Sequence, residues 1–355
     1  MPNKVQVCHI KRRKLPMQRF ISNNGKTMTF SRRFTEKKRR LIPILILLSV
    51  SISIYYSFNP RIRAIFPSIE PIDSSVLLAI HGNIKFLGKA HLIYIINLPT
   101  RFDRRTTSIA LIQAINLQAY LFPAYSIHSS EVFQRNQNRN TFFFKSTELA
   151  CWASHMRVWK TIAQRTNDQD WSIIFEDDID LEFNIHSIMQ TFPSSIWNQT
   201  DLIYLGHCAN PPGKLIHQST TSVYEIREAL HPSCTHAYAI RRQAAMKMIH
   251  LLSEPTQPID DSIVELVKQQ QLIAYSIHPP LVIQNPVTKT NPSDVNRINR
   301  QTFFYKLQLA FYTLMQWWNG VDLCQKLMNS TLKQANLTQA DQWRQIHEQG
   351  IWKNR

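Results

Sequence analysis

The chain has 355 residues, 44 % of them hydrophobic, with 41 Lys and Arg against 24 Asp and Glu and a formal charge of +17. That length excludes a peptide or bare linker and allows one large domain or two smaller ones. The charge does not indicate a nucleic-acid-binding body: residues 1–40 hold 13 Lys/Arg and the single acid Glu36, a net of +12 that leaves only +5 for the remaining 315 residues.

After this basic tail comes LIPILILLSVSISIYYSF (41–58), eighteen uncharged residues, at the short end of what spans a bilayer. Its forty-residue lead and the lack of an A-x-A pattern read as a retained signal anchor rather than a cleaved signal peptide. With 13 basic residues before it and Arg61 and Arg63 after it, the positive-inside rule puts the N-terminus in the cytosol and the body across the membrane, a type II topology. Residues 59–90, polar and proline-containing, suit a stem.

From there strands and helices alternate. LIYIIN (92–97) is a β-branched apolar run suited to a buried parallel strand, followed by the arginine-rich PTRFDRR and a helical stretch. STELACWASHMRVWKTIAQ is a helix, with Ser146 or Thr147 as N-cap and Glu148 in its first turn. WSIIF, DLIYLG and THAYAI are strands, and RRQAAMKMIHLL is a helix. QPIDDSIVELVKQ is a helix that Asp260 or Asp261 can cap, and LIAYSIHPPLVIQ is a last strand ended by two prolines. The pattern predicts an α/β fold with helices on both faces of the sheet. FFYKLQLAFYTLMQWW, from Phe303, reads as an aromatic helix, most simply core.

Three N-glycosylation triplets, at Asn198, Asn329 and Asn336, agree with a secretory-pathway lumen once the anchor is granted. Cys8 falls in the tail, which leaves Cys151, Cys208, Cys234 and Cys324 where disulfides can form. Cys208 with Cys234 is the favoured pair because each adjoins a predicted strand; four free thiols is the alternative.

The densest chemistry is FEDDID. Glu176, Asp177, Asp178 and Asp180 follow an apolar strand, where ligands of open α/β sheets collect, and such crowded carboxylates call for a positive charge. On an extended chain Glu176 and Asp178 point one way and Asp177 the other. Hard oxygen ligands suit Mg²⁺ or Mn²⁺; the plainer reading is a solvated acidic turn. With seven glycines and neither G-x-G-x-x-G nor a P-loop, dinucleotide-binding and NTPase folds are not supported. A metal-bound diphosphate in a lumenal enzyme points to a nucleotide sugar.

IYIINLPTRFDRR, ELACWASHMRVW, IIFEDDID, DLIYLG, THAYAI and PIDDS, in this order over roughly residues 91–295, resemble glycosyltransferase family 25, which contains lipooligosaccharide and collagen galactosyltransferases. The resemblance implies a GT-A-like (Rossmann-like) mixed sheet in a catalytic domain over 91–300, with 301–355 as a C-terminal extension. It also implies Mn²⁺ (or Mg²⁺), a UDP-sugar donor such as UDP-galactose, a glycan or glycoprotein acceptor, and inversion at the anomeric carbon. Asp178 and then Glu176 become the expected metal ligands, with His278 a third. Asn97, Arg101, Arg104, Arg105, His155 and Asp177 would serve the donor, and Asp260 is the candidate base, with Asp261 as cap. A core histidine at 155, a surface arginine at 101 and a plain strand-end histidine at 278 are the structural alternatives. Ala150 stands where the family often has Gly, and the block from Phe303 has no counterpart in it. A metal-dependent phosphohydrolase using the same acids, or a non-catalytic lumenal binding protein, are the competing classes. The expected location is the Golgi or endoplasmic-reticulum membrane.

Overall fold

The computed structural model describes residues 69–137, 145–166, 170–208, 211–220, 222–285 and 327–335, all within the second of two compact units, Phe66–Arg355. The basic tail, the apolar segment 41–58, Asn336 and the aromatic block from Phe303 lie outside these residues. Among the described residues no helix is long and apolar enough to cross a membrane.

The strands are β1 (Leu78–Ile80), β2 (Ala90–Asn97), β3 (Ala119–Pro123), β4 (Trp171–Glu176), β5 (Ile179–Leu181), β6 (Leu202–Cys208), β7 (Pro212–Gln218), β8 (Glu225–Ala229), β9 (Ser233–Arg241), β10 (Ala274–His278) and β11 (Val282–Gln284). Among the described residues, nine form one mixed sheet in the order β1-β3-β2-β4-β9-β6-β10-β8-β7, while β5 pairs with β11. The helices are α1 (Phe102–Ala114), α2 (Ser130–Gln137), α3 (Ser146–Ala163), α4 (Ile185–Gln190), α5 (Ser194–Gln199), α6 (Arg242–Leu251), α7 (Ile259–Lys268) and α8 (Thr331–Gln334).

Period-two alternation explains the layering. Along β2, Tyr94 and Ile96 join a hydrophobic cluster with α3, α6 and α7, while Ile93 and Ile95 join another with α1, α4 and α5. Both faces are buried, so the strand reads as an unbroken apolar run. Helix α3 is the best-anchored element: Trp152 and Trp159 are almost fully buried, and truncating either to Ala costs about 3–5 kcal/mol.

Direction sets the site. Strands β3, β2 and β4 are mutually parallel, and β6 and β10 are parallel. Between these sets runs β9, antiparallel to both β4 and β6. The carboxyl ends of β2, β4, β6 and β10 therefore share one edge with the start of β9. Gly206 sits at that edge because a Cβ there would collide with the His236 ring and the Val282 carbonyl.

Several expectations change. Within the span expected as a stem, Ile69, Ile72, Ile80 and Leu87 are buried in the domain and β1 pairs with β3. The last strand is two, β10 in the large sheet and β11 on β5, because Pro279 and Pro280 supply no ladder donors. The cap position of α3 is Lys145 and that of α7 is Pro258. Glu148 accepts the Lys145 backbone N–H at 2.7 Å, and neither Asp260 nor Asp261 is the N-cap of α7.

Candidate active site

A cleft of about 620 Å³ opens at the carboxyl ends of β2, β3 and β4, lined among others by Arg101, Tyr125, Cys151, His155, Glu176 and Asp177. Arg101, Arg104 and Arg105 follow β2 and enter α1, which turns their side chains onto this edge.

Part of the positive charge expected beside FEDDID comes from within the chain. Arg104 Nη1 lies 3.0 Å from Asp177 Oδ1 and 3.2 Å from Asp178 Oδ2. Asn97 Nδ2 donates to Asp177 Oδ2 at 2.7 Å, and Asn97 Oδ1 accepts from Arg105 Nε at 3.0 Å. Arg101 makes paired bonds to Asp103, at 2.9 and 2.7 Å, and still lines the cleft. Arg104 thus organises the acids directly, and Arg105 does so through Asn97.

The acids divide differently from strict alternation. Strand β4 ends at Glu176, so Asp177 and Asp178 enter a turn and share Arg104, while Glu176 faces α3 and β9. There Thr235 Oγ1 donates to Glu176 Oε1 at 2.8 Å, and His155 Nε2 is 3.3 Å from the same oxygen. His155 Nδ1 is 2.9 Å from the Tyr238 hydroxyl, which also accepts from Trp159 Nε1 at 2.8 Å. Trp159 can only donate, so in a neutral His155 ring that accepts at Nδ1 the Tyr238 proton is available there and the Nε2–H is left for Glu176.

Burial raises the Glu176 carboxyl, but the hydrogen bond and charge of His155, then Thr235 and His236, leave it net lowered. Asp177 is raised by burial against the pull of Arg104 and Asn97. Asp178 is pushed up to about 7 by burial and then by the charge of Glu176, with Arg104 opposing. Gln284 Nε2 donates to Asp178 at 3.2–3.3 Å, and the Asn285 N–H bonds the Asp178 carbonyl.

Glu176 and Asp178 offer the hard oxygens that Mg²⁺ or Mn²⁺ takes, and a buried carboxyl raised by its neighbours' negative charge is one that a dication would ionise. No group of three ligating atoms among the described residues includes Asp178, and none includes His278. It bonds Ser276 Oγ at 2.9 Å and packs 4.7 Å from the His207 ring.

Asp260, in the first turn of α7, accepts the Cys234 N–H at 3.3 Å. Its charge, with those of Glu176, Asp178 and Glu148, helps hold the Cys151 thiol well above its usual range, after burial. Cys208 and Cys234 form a disulfide. Asn198 is exposed in α5, and the Asn329 N–H bonds both Glu182 oxygens at 3.0 Å.

Sequence reasoning missed Thr235, Tyr238, Trp159 and Gln284. The local signal for Thr235 was its place at the start of THAYAI, but only strand pairing reveals that β9 lies beside β4.

Residues 90–263 match the model of glycosyltransferase family 25 (LPS biosynthesis protein). No curated protein matches the sequence. One similar solved structure is a Drosophila β-1,4-galactosyltransferase 7 mutant in complex with manganese, UDP-Gal and xylobiose, at 13 % identity and a TM-score of 0.28, covering 61 % of this chain and 78 % of that one. Another is the glycosyltransferase GlyE of Streptococcus pneumoniae TIGR4, at 8 % identity and a TM-score of 0.28, covering 75 % of this chain and 64 % of that one. Overlaps this loose support neither a fold assignment nor a function. The matched span takes in Asn97, the three arginines, the acid strand and Asp260 but stops short of His278, and the chain is a glycosyltransferase whose residues 90–263 belong to family 25.

Proposed function

We propose that this glycosyltransferase is an inverting, divalent-cation-dependent enzyme of GT-A type that moves a hexose, galactose from UDP-galactose, to a hydroxyl of a glycan or glycoprotein. The observation that carries the reading is the cleft at the carboxyl ends of β2, β3 and β4, which has Glu176 and Asp177 in its wall. Arg101 lines the same space while paired to Asp103, and a guanidinium there suits a diphosphate.

Glu176 and Asp178 would hold Mn²⁺ or Mg²⁺, with remaining positions left to water and diphosphate oxygens. Bound there, the cation supplies charge neutralisation to the departing nucleoside diphosphate. Arg104 keeps Asp177 and Asp178 paired and in place, and His155 and Thr235 keep Glu176 ionised. Asp260 takes the acceptor hydroxyl proton as that oxygen attacks the anomeric carbon and the bond to the diphosphate oxygen breaks. The type II anchor at residues 41–58 and a Golgi or endoplasmic-reticulum lumenal body complete the proposal, supported by the charge asymmetry around that segment.

The test is the full chain in detergent with a panel of nucleotide sugars and Mn²⁺, with released nucleotide measured with and without acceptor. Nucleoside diphosphate released faster with acceptor, and lost with chelator, is the expected result. Acceptor-independent release of phosphate or nucleoside monophosphate would establish the phosphohydrolase instead. Protease protection of the body in sealed microsomes tests the topology.

A further inference from the structure

The reaction proposed above gives Cys151 no task, although it stands in the cleft wall with His155 and Glu176. Cys151 and His155 are one turn apart on α3, so their side chains share a face, and Glu176 meets them from the end of β4. One ligating atom of each lies within 4.8 Å of the other two. The 3.3 Å from His155 Nε2 to Glu176 Oε1 matches the ~3.3 Å that nitrogen and oxygen ligands span when each is about 2.0–2.2 Å from a tetrahedral zinc ion. Cys151 is free and half-buried, and its sulfur lies within 4.8 Å of both other ligating atoms.

The surroundings are those of a built site. Tyr238 lies 2.9 Å from His155 Nδ1, and its oxygen can accept from that nitrogen when Nε2 is the ligating atom. Thr235 holds the Glu176 carboxylate at 2.8 Å. Such outer partners fix the orientation of metal-binding His and carboxylate groups. The only other three-residue group among the described residues, Cys208, Cys234 and His236, has both sulfurs consumed by the disulfide.

We propose that Cys151, His155 and Glu176 form a three-ligand site for a thiophilic divalent cation of the zinc class, with its fourth position open to the cleft. Sulfur and imidazole select such an ion over Mn²⁺ or Mg²⁺, and binding displaces the thiol proton to solvent. In so far as Glu176 also holds the catalytic cation, which rests on the function proposed above, the two ions exclude each other and zinc inhibits transfer.

The test uses the full chain, stripped with chelator and titrated with Co²⁺ as the optical stand-in for zinc, with Zn²⁺ then competed against it. The expected result is one Co²⁺ with a thiolate-to-cobalt charge-transfer band, displaced by Zn²⁺. Cys151→Ser should remove the band and weaken Zn²⁺ by at least about tenfold, while Asp178→Ala keeps the band. Cys151→Ala, with an unchanged unfolding midpoint in chelator, guards against a folding artefact. A band absent from the parent chain, or surviving in both Cys151 variants through Cys8 or Cys324, overturns the site. A band that depends on Cys151, with no inhibition of Mn²⁺-dependent transfer by Zn²⁺, upholds the site and overturns Glu176 as the holder of the catalytic cation.

Discussion

Within the eight residues FEDDIDLE two sets of acids meet opposite fates. Besides the neutral donors Thr235, Asn97 and Gln284, Glu176, Asp177 and Asp178 meet groups that carry or move charge, His155 and Arg104. Asp180 and Glu182, both buried, are satisfied by neutral donors. Asp180 accepts from the Ser330 hydroxyl and the Leu332 N–H, and Glu182 accepts from the Asn329 N–H. The rear pair nails residues 327–335 to the body, while the front trio leaves Asp178 poised near neutrality. Local charge density alone does not separate chemistry from architecture; the partners do.

Breaking each set should therefore give different phenotypes. Asp178→Ala should lower transfer by about a thousandfold or more, read as nucleotide released with acceptor, while leaving the unfolding midpoint in chelator unchanged or higher. Asp180→Ala should do the reverse. Loss of charge-accepted bonds in a buried setting costs about 2–3 kcal/mol by denaturant unfolding, with activity per folded molecule retained.

The pH profile sharpens the contrast. With Asp178 at about 7, it protonates as pH falls through that value, so cation binding and activity should rise across neutrality. Arg104→Gln removes a charge that lowers this carboxyl, moving the rising limb to alkaline pH and costing about tenfold at pH 7. In the cation-free protein the same raised carboxyl contributes stability below its unfolded value near 4 that is lost as pH rises through about 7. Added Mn²⁺ should accordingly raise the melting temperature more at pH 8 than at pH 5. Thr235→Val, which removes one neutral donor from Glu176, should be mildest, at about 1 kcal/mol in cation affinity by calorimetry.

The central strands were legible because burial on both faces makes LIYIIN, WSIIF and DLIYLG continuous apolar runs. The short β1 and β3 and the β7–β8 hairpin carry little such signal, and the pairing of Leu78 with Leu121 depends on contacts distant in sequence. At the site, the acid motif and the arginines after β2 were visible as residue types. Their pairing was not, since Arg104 reaches Asp177 and Asp178 across more than seventy residues. The expectation that Asp177 would point away from Asp178 failed, since both meet Arg104; alternation holds only while the chain stays extended, and β4 stops at Glu176.

The anchoring of the two ends of one chain excursion has a further consequence. The described chain departs at Asn285, bonded to the carbonyls of Asp178 and Ile179, and Asn329, soon after its return at residue 327, is tied to Glu182 and Phe183. Both tether points hang on a single six-residue stretch that begins at Asp178, so the entropy of closing the chain between them grows only slowly with its length.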